Sequence, residues 1–215
     1  PISRPDRNGL PLLAGQTSWP IGSLPASPAH ETTARVWWAS WRGEALIALC
    51  LSALPFLFFW RFITPNLADR VTFARGDFVE QYYPLRFFVA QQFGQASFPL
   101  WDPYIYGGQP ALADIQSAAL YPPNLIQAVL LGGDHFTMAA LELQVIVHFS
   151  LAAVFTYLFV RRLTESRFAG AVSSLAYTYG GYMTSFPVRQ MTMLGVGVWL
   201  PLILFFLEGA LQRCA

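Results

Sequence analysis

Four apolar runs decide what this chain can fold into, because each is long enough to cross a hydrocarbon core, which takes roughly 17–25 helical residues. The first runs from Ala45 to about Phe62 and is loosened at Pro55. The second, Met138 to Val160, carries Glu142 and His148. The third, Phe168 to Phe186, is the least apolar. Its Ser173, Ser174, Thr178, Gly180 and Gly181 let helices approach closely, so it is expected to face other helices rather than lipid. The fourth, Met191 to about Leu211, contains Pro201. With 54% hydrophobic residues, 12% charged residues and a mean hydropathy of +0.41, the composition lies outside the soluble range. A net charge of +1 gives no support for nucleic-acid binding. The expected fold class is an all-α polytopic membrane protein with four transmembrane helices.

All thirteen basic residues are arginine, a bias that genome composition explains, although arginine also suits bidentate phosphate binding. Their placement sets an orientation. Arg35 and Arg42 precede the first run, Arg161, Arg162 and Arg167 crowd the second connection, and Arg213 follows the fourth run, whereas the third connection has only Arg189. Both termini are therefore expected in the cytoplasm and the long loop 65–137 outside. Cys50 and Cys214 then lie toward a reducing compartment, and no disulfide is expected. Residues 1–34, rich in Pro, Ser and Gly, read as a flexible cytoplasmic tail without a secretory signal. Residues 35–64 combine an interfacial anchor (Trp37, Trp38, Trp41, Arg42) with the first helix, and residues 138–213 hold the other three.

The loop does not read as a linker. Its stretch Gly76–Leu125 interleaves aromatics and prolines with Asp77, Glu80, Asp102 and Asp114, and has no low-complexity run. Asp77 opens an expected helix, where an aspartate can accept backbone N–H bonds and favour the macrodipole. Glu80, three residues on, either shares its face or reaches back as a cap. Phe78, Tyr82, Leu85, Phe88 and Val89 recur at helical spacing, the pattern of an amphipathic helix in the headgroup region. Asp102 before Pro103 is turn chemistry. Ile115–Leu131, interrupted by Pro122 and Pro123, is too broken to span and reads as an interfacial or re-entrant segment. Glu142 is expected near the outer end of its helix, within reach of the interface, and His148 deeper, bonded to a neighbouring helix. No Walker loop, dinucleotide fingerprint, metal-spaced Cys/His cluster or nucleophile elbow is present in the sequence.

The ordered motifs D-x-x-x-Q-x-x-P (Asp77, Gln81, Pro84), F-P-L-W-x-P (Phe98–Pro103), Y-G-G-x-P (Tyr106–Pro110), A-D-I-Q-S (Ala113–Ser117) and Y-P-x-N-L (Tyr121–Leu125) resemble the YfhO family of bacterial polytopic membrane proteins. The likeness runs from about Ala45 to Arg213, the N-terminal portion of that family. It implies a fold similar to GT-C glycosyltransferases in the bacterial cytoplasmic membrane. The implied activity is sugar transfer from a polyprenyl-phosphate carrier to an extracytoplasmic acceptor. Asp77 matches the loop acid of those enzymes, with the implied role of general base. Glu80 is a candidate for positioning the acceptor or a divalent cation, and Arg75, Arg86 and Arg189 are candidates for holding the lipid phosphate. Family members carry more than four transmembrane helices. The chain is thus expected to be either part of a longer enzyme or a shortened, non-catalytic relative. The latter would be an accessory subunit of a larger membrane complex, such as a respiratory or photosynthetic one.

Overall fold

The computed structural model describes residues 33–73, 76–131, 133, 135–185 and 187–214. The expected tail, apart from its last residues, therefore lies outside them. The described residues form helices and turns without a β-strand. α1 (Thr33–Phe58) and the short α2 (Trp60–Ile63) lead to a π-helical turn (Phe78–Tyr82) that continues as α3 (Tyr83–Gly94). After α4 (Pro122–Leu131) come α5 (Met138–Thr164), α6 (Arg167–Tyr179), α7 (Gly181–Thr184) and α8 (Met191–Cys214).

Three helices among the described residues are long and apolar enough to cross a membrane: α1 over Trp41–Phe58, α5, and α8 over Met191–Arg213. The expected fourth, Phe168–Phe186, is not continuous. α6 has 13 residues, a rise of about 20 Å against a hydrocarbon core of about 30 Å. Gly180 stops it by turning to an extended conformation (φ −61°, ψ 156°). A Cβ there would lie 2.5 Å from the Ala176 carbonyl oxygen. Nor is α6 wholly turned to other helices. Gly170, Ser174 and Thr178, at four-residue spacing, are buried, while Phe168 and Val172 are exposed.

Side-chain contacts give the helix directions. Ser150 Oγ donates to the Ser52 carbonyl at 2.7 Å and Phe59 meets Phe149, so α1 and α5 are antiparallel. Ser174 Oγ donates to the Ala153 carbonyl at 2.7 Å and Gly170 lies against Tyr157, so α6 returns along α5. Phe155 meets Trp199, while Arg162 lies over Phe205 and donates to Gln212, so α8 runs parallel to α5. One end of the bundle thus gathers the start of α1 and the ends of α5 and α8. Glu44 accepts there from Arg161 at 3.0 Å, from Arg167 at 2.9 Å and from the Tyr157 hydroxyl. The opposite, loop end holds the main core, which includes Phe59, Phe78, Tyr82, Leu141, Phe149 and Leu194.

The loop folds into the protein rather than onto a membrane surface. Phe78, Tyr82, Leu85, Phe88 and Val89 are all buried, so the stripe is core packing and not a headgroup-facing one. Asp102 and Asp114 fix turns, Asp102 Oδ1 accepting from Tyr104 N at 2.9 Å and Asp114 Oδ1 from Gln116 N at 2.8 Å. α4 falls within the segment expected to be interfacial or re-entrant, and it packs along α5. Gln127 Nε2 donates to the Ala140 carbonyl and Gln144 Nε2 to Asn124 Oδ1, both at 2.8 Å, and Tyr121 meets His148. α4 therefore runs antiparallel along the first third of α5, and Tyr121 sits level with a residue about 15 Å from the start of α5. A helix start at such depth must satisfy its first N–H groups without water. Pro122 and Pro123 have none, and the N–H groups of Asn124 and Leu125 both donate to the Tyr121 carbonyl, at 2.8 and 3.1 Å.

Candidate functional site

Where α3, Tyr121 and α8 meet, an apolar groove of ≈ 420 Å³ runs along α8, lined among others by Tyr121, Thr192, Gly195, Trp199 and Ile203. Val196 and Ile203 are exposed, so the groove opens on the exposed face of α8, a helix long and apolar enough to cross a membrane. One charged residue, Arg86, lines it. Arg86 is 4% exposed, forms no ion pair among the described residues, and its Nε and Nη1 have no hydrogen-bond partner. Burial pushes its guanidinium down to about 10, with Tyr82, Tyr121 and Asp114 opposing through space. It still carries its charge at neutral pH. A buried cation without a counter-charge is costly, and an anion at the groove would offset that cost.

The groove wall is held by a directional relay. The Gln144 carbonyl can only accept, so His148 Nδ1 donates to it at 2.7 Å and Nε2 is left as an acceptor. The Tyr121 hydroxyl donates to Nε2 at 2.7 Å and accepts from Trp199 Nε1, also at 2.7 Å. His148 is thus committed to the Tyr121 that precedes α4, not to another of the long helices.

Asp77 does not cap its helix. Its side chain makes no capping bond, and Oδ2 instead accepts from Gln190 Nε2. The Val79 and Glu80 N–H groups go to the Gly76 carbonyl, and Gly76 has the φ of +138° that glycine tolerates. Gln190 Oε1 accepts from the Tyr82 hydroxyl at 2.8 Å, which leaves Thr192 Oγ1 to donate to that hydroxyl at 2.9 Å. Asp77 is exposed, with Oδ2 held and no hydrogen bond to Oδ1 among the described residues. Thr192 lines the groove, so three hydrogen bonds connect the loop acid to the groove.

The other sequence candidates fall elsewhere. Glu80 is exposed and its carboxylate makes no hydrogen bond among the described residues. Arg189 is exposed on a separate depression with Phe62, Thr72, Phe73, Thr184 and Ser185. Arg75 lies outside the described residues. No group of three or more His, Cys, Asp or Glu among the described residues is placed to hold a metal ion. Glu142 departs from its expected position at the interface: it is 1% exposed, accepts from Phe73 N at 3.3 Å through Oε1, and leaves Oε2 without a partner. Sequence reading missed Gln190, Tyr82 and Thr192 as partners of the loop acid. The only signal for them was their polarity in apolar surroundings. No family model, curated protein or solved structure matches the chain.

Proposed function

We propose that the chain binds a lipid-linked phosphate in the Arg86 groove. We further propose that it serves sugar transfer from a polyprenyl-phosphate carrier to an extracytoplasmic acceptor, in the manner of the YfhO family and GT-C enzymes it resembles. The observation that carries this reading is a buried guanidinium, its Nε and Nη1 without a partner among the described residues, in an apolar groove on the exposed face of α8. A lipid phosphate has the matching parts, an apolar chain for the groove and an anion for a fork of N–H donors. Asp77 and Arg86 are nine residues apart on one helical path, about 13 Å of rise. They would therefore hold different parts of one substrate, Arg86 the phosphate and Asp77 the acceptor beside the sugar.

In the proposed reaction the acceptor hydroxyl attacks the anomeric carbon as the bond from that carbon to the phosphate oxygen breaks. The lipid phosphate leaves with the electron pair, and Asp77 Oδ1 takes the acceptor proton while Gln190 holds Oδ2. The arginine-rich end is assigned to the cytoplasm and the loop to the outside of a bacterial inner membrane, following the positive-inside rule. A second reading, an accessory subunit, draws on the loop surface, where Trp101, Tyr104 and Tyr106 are 57%, 82% and 89% exposed.

The test is Asp77→Asn in the full-length protein, assayed for sugar transfer and, separately, for retention of a long-chain alkyl phosphate. Transfer is expected to be lost with alkyl-phosphate binding unchanged. Surviving transfer removes Asp77 from the chemistry. Absence of alkyl-phosphate binding in the unmutated protein, together with stoichiometric co-purification of other membrane subunits, moves the assignment to the accessory reading.

A further inference from the structure

On the other side of the Tyr121–Trp199 contact, between α4 and α5, lies a second groove of ≈ 430 Å³. It shares Trp199 with the Arg86 groove, yet no Asp, Glu, Lys or Arg lines it. Pro122, Ile126, Leu143, Val147 and Leu151 form apolar walls, and Ile126, Leu143 and Val147 are exposed along its rim. His148, about 15 Å from the start of α5, marks its depth along a spanning helix.

Two amides stand in this wall, Gln127 and Gln144. Gln127 Nε2 is committed to the Ala140 carbonyl. Gln144 Nε2 is committed to Asn124 Oδ1, and Asn124 Nδ2 in turn donates to the Ala118 carbonyl at 2.6 Å. A carbonyl can accept only from the NH₂ side of an amide, so these bonds fix which way each glutamine faces. Both Oε1 atoms are then left as acceptors, and both are buried with no donor among the described residues. Gln144 is 3% exposed. A buried amide carbonyl without a donor is a demand for one, and it is strongest where water is scarce.

We infer that this second groove binds an uncharged, single-chain lipid alcohol, its chain along Ile126, Leu143 and Val147 and its one hydroxyl proton donated to the carbonyl oxygen of Gln144. A hydrocarbon fills the same walls but supplies no donor. A phosphate brings negative charge to two carbonyl oxygens with no cation beside them. The Arg86 groove selects the opposite chemistry, so the molecule carries two apolar sites of similar size that differ in the sign of what they recognise. The inference does not depend on sugar transfer.

The test compares radiolabelled hexadecanol, hexadecane and hexadecyl phosphate for binding to the full-length protein in mild detergent. Hexadecanol is expected to bind about tenfold more tightly than hexadecane, the factor that one hydrogen bond of ordinary net strength supplies. Gln144→Leu is expected to remove that advantage. Val147→Trp, which fills the groove, should abolish hexadecanol binding and leave hexadecyl phosphate binding intact. Gly195→Leu should do the reverse, because a Cβ at 195 points into the Arg86 groove with only the Tyr121 hydroxyl near it, at 4.0 Å. Retained binding at the opposite groove shows that each variant is folded. Should Val147→Trp lose both ligands, Gln144→Leu, which adds no bulk, decides the matter. Equal affinity for hexadecanol and hexadecane, or loss of hexadecanol binding through Gly195→Leu, overturns the inference. Hexadecanol binding as expected with no hexadecyl phosphate binding sinks the lipid-phosphate reading and leaves this one standing.

Discussion

Glu44, at one end of the bundle, meets Arg161 and Arg167 at 3.0 and 2.9 Å with all three side chains between 26% and 41% exposed, whereas Arg86, at the other, is 4% exposed and meets no carboxylate. The first arrangement is complete as it stands and joins α1 to α5 and α6. Exposed pairs of this kind contribute little to stability, and their use is to register helices. The second arrangement is incomplete. Arg86 Nε and Nη1, and beyond them Glu142 Oε2 and the carbonyl oxygens of Gln127 and Gln144, are buried groups without a hydrogen-bond partner among the described residues. They are gathered where the loop packs against the bundle. The difference separates charge used as architecture from buried polarity left open, on which the proposed ligand sites rest.

The largest effect that can break this comparison is at Arg86. In lipid-free detergent Arg86→Met should raise the melting temperature, because it removes a buried charge with no partner. In the unmutated protein, hexadecyl phosphate at a hundredfold excess over its Kd should add about 2.7 kcal/mol, and in the variant nothing. Thermal unfolding with and without the alkyl phosphate reads both. A variant that melts lower in the absence of ligand would show that the guanidinium is already satisfied within the protein.

Tyr121→Phe comes next. It strands the Trp199 N–H and the His148 Nε2 together, at about 1–3 kcal/mol for each buried group left unpaired. Combined with Trp199→Phe its cost should be less than additive, since one lost bond is counted twice. Equilibrium denaturation of the two single variants and the double variant measures the coupling. Additive losses would mean the relay is not a unit. The smallest effect belongs to the arginine end. Glu44→Gln should lower the melting temperature slightly, and the difference should vanish at about 1 M salt, where the Debye length falls to about 3 Å.

Much of the helical framework was legible because it rests on local pattern. α5 and α8 begin at the residues where their apolar runs begin, and the turn role of Asp102 follows from a side chain bonding two residues on. That 115–131 holds only a ten-residue helix, too short to span, was legible too, from an apolar stretch broken by two prolines. The third span was not, since hydropathy averages across Gly180 as though the helix continued. The site was legible in its members and not in its geometry. Arg86 stands among apolar neighbours in the sequence, but the absence of a partner is a tertiary fact. Asp77 reads as a helix cap until Gln190, 113 residues away, is seen to claim its carboxylate. Several residues on which the resemblance rests, Asp114, Ser117 and Asn124, hold turns and a helix start together. Those motifs therefore report a loop architecture more directly than a chemistry.

The paired prolines that open α4 bear on how the protein is made. Ten residues are too few to leave the insertion channel sideways as a spanning segment. α4 must therefore take its place as a folding step, packed against α5 once Gln144 and His148 are in place. Its leading end carries no N–H of its own at Pro122 and Pro123, so little backbone polarity has to be covered there. The bond from Trp199 to Tyr121 arrives only with α8. Until α8 is seated, both grooves lack the wall that Trp199 supplies.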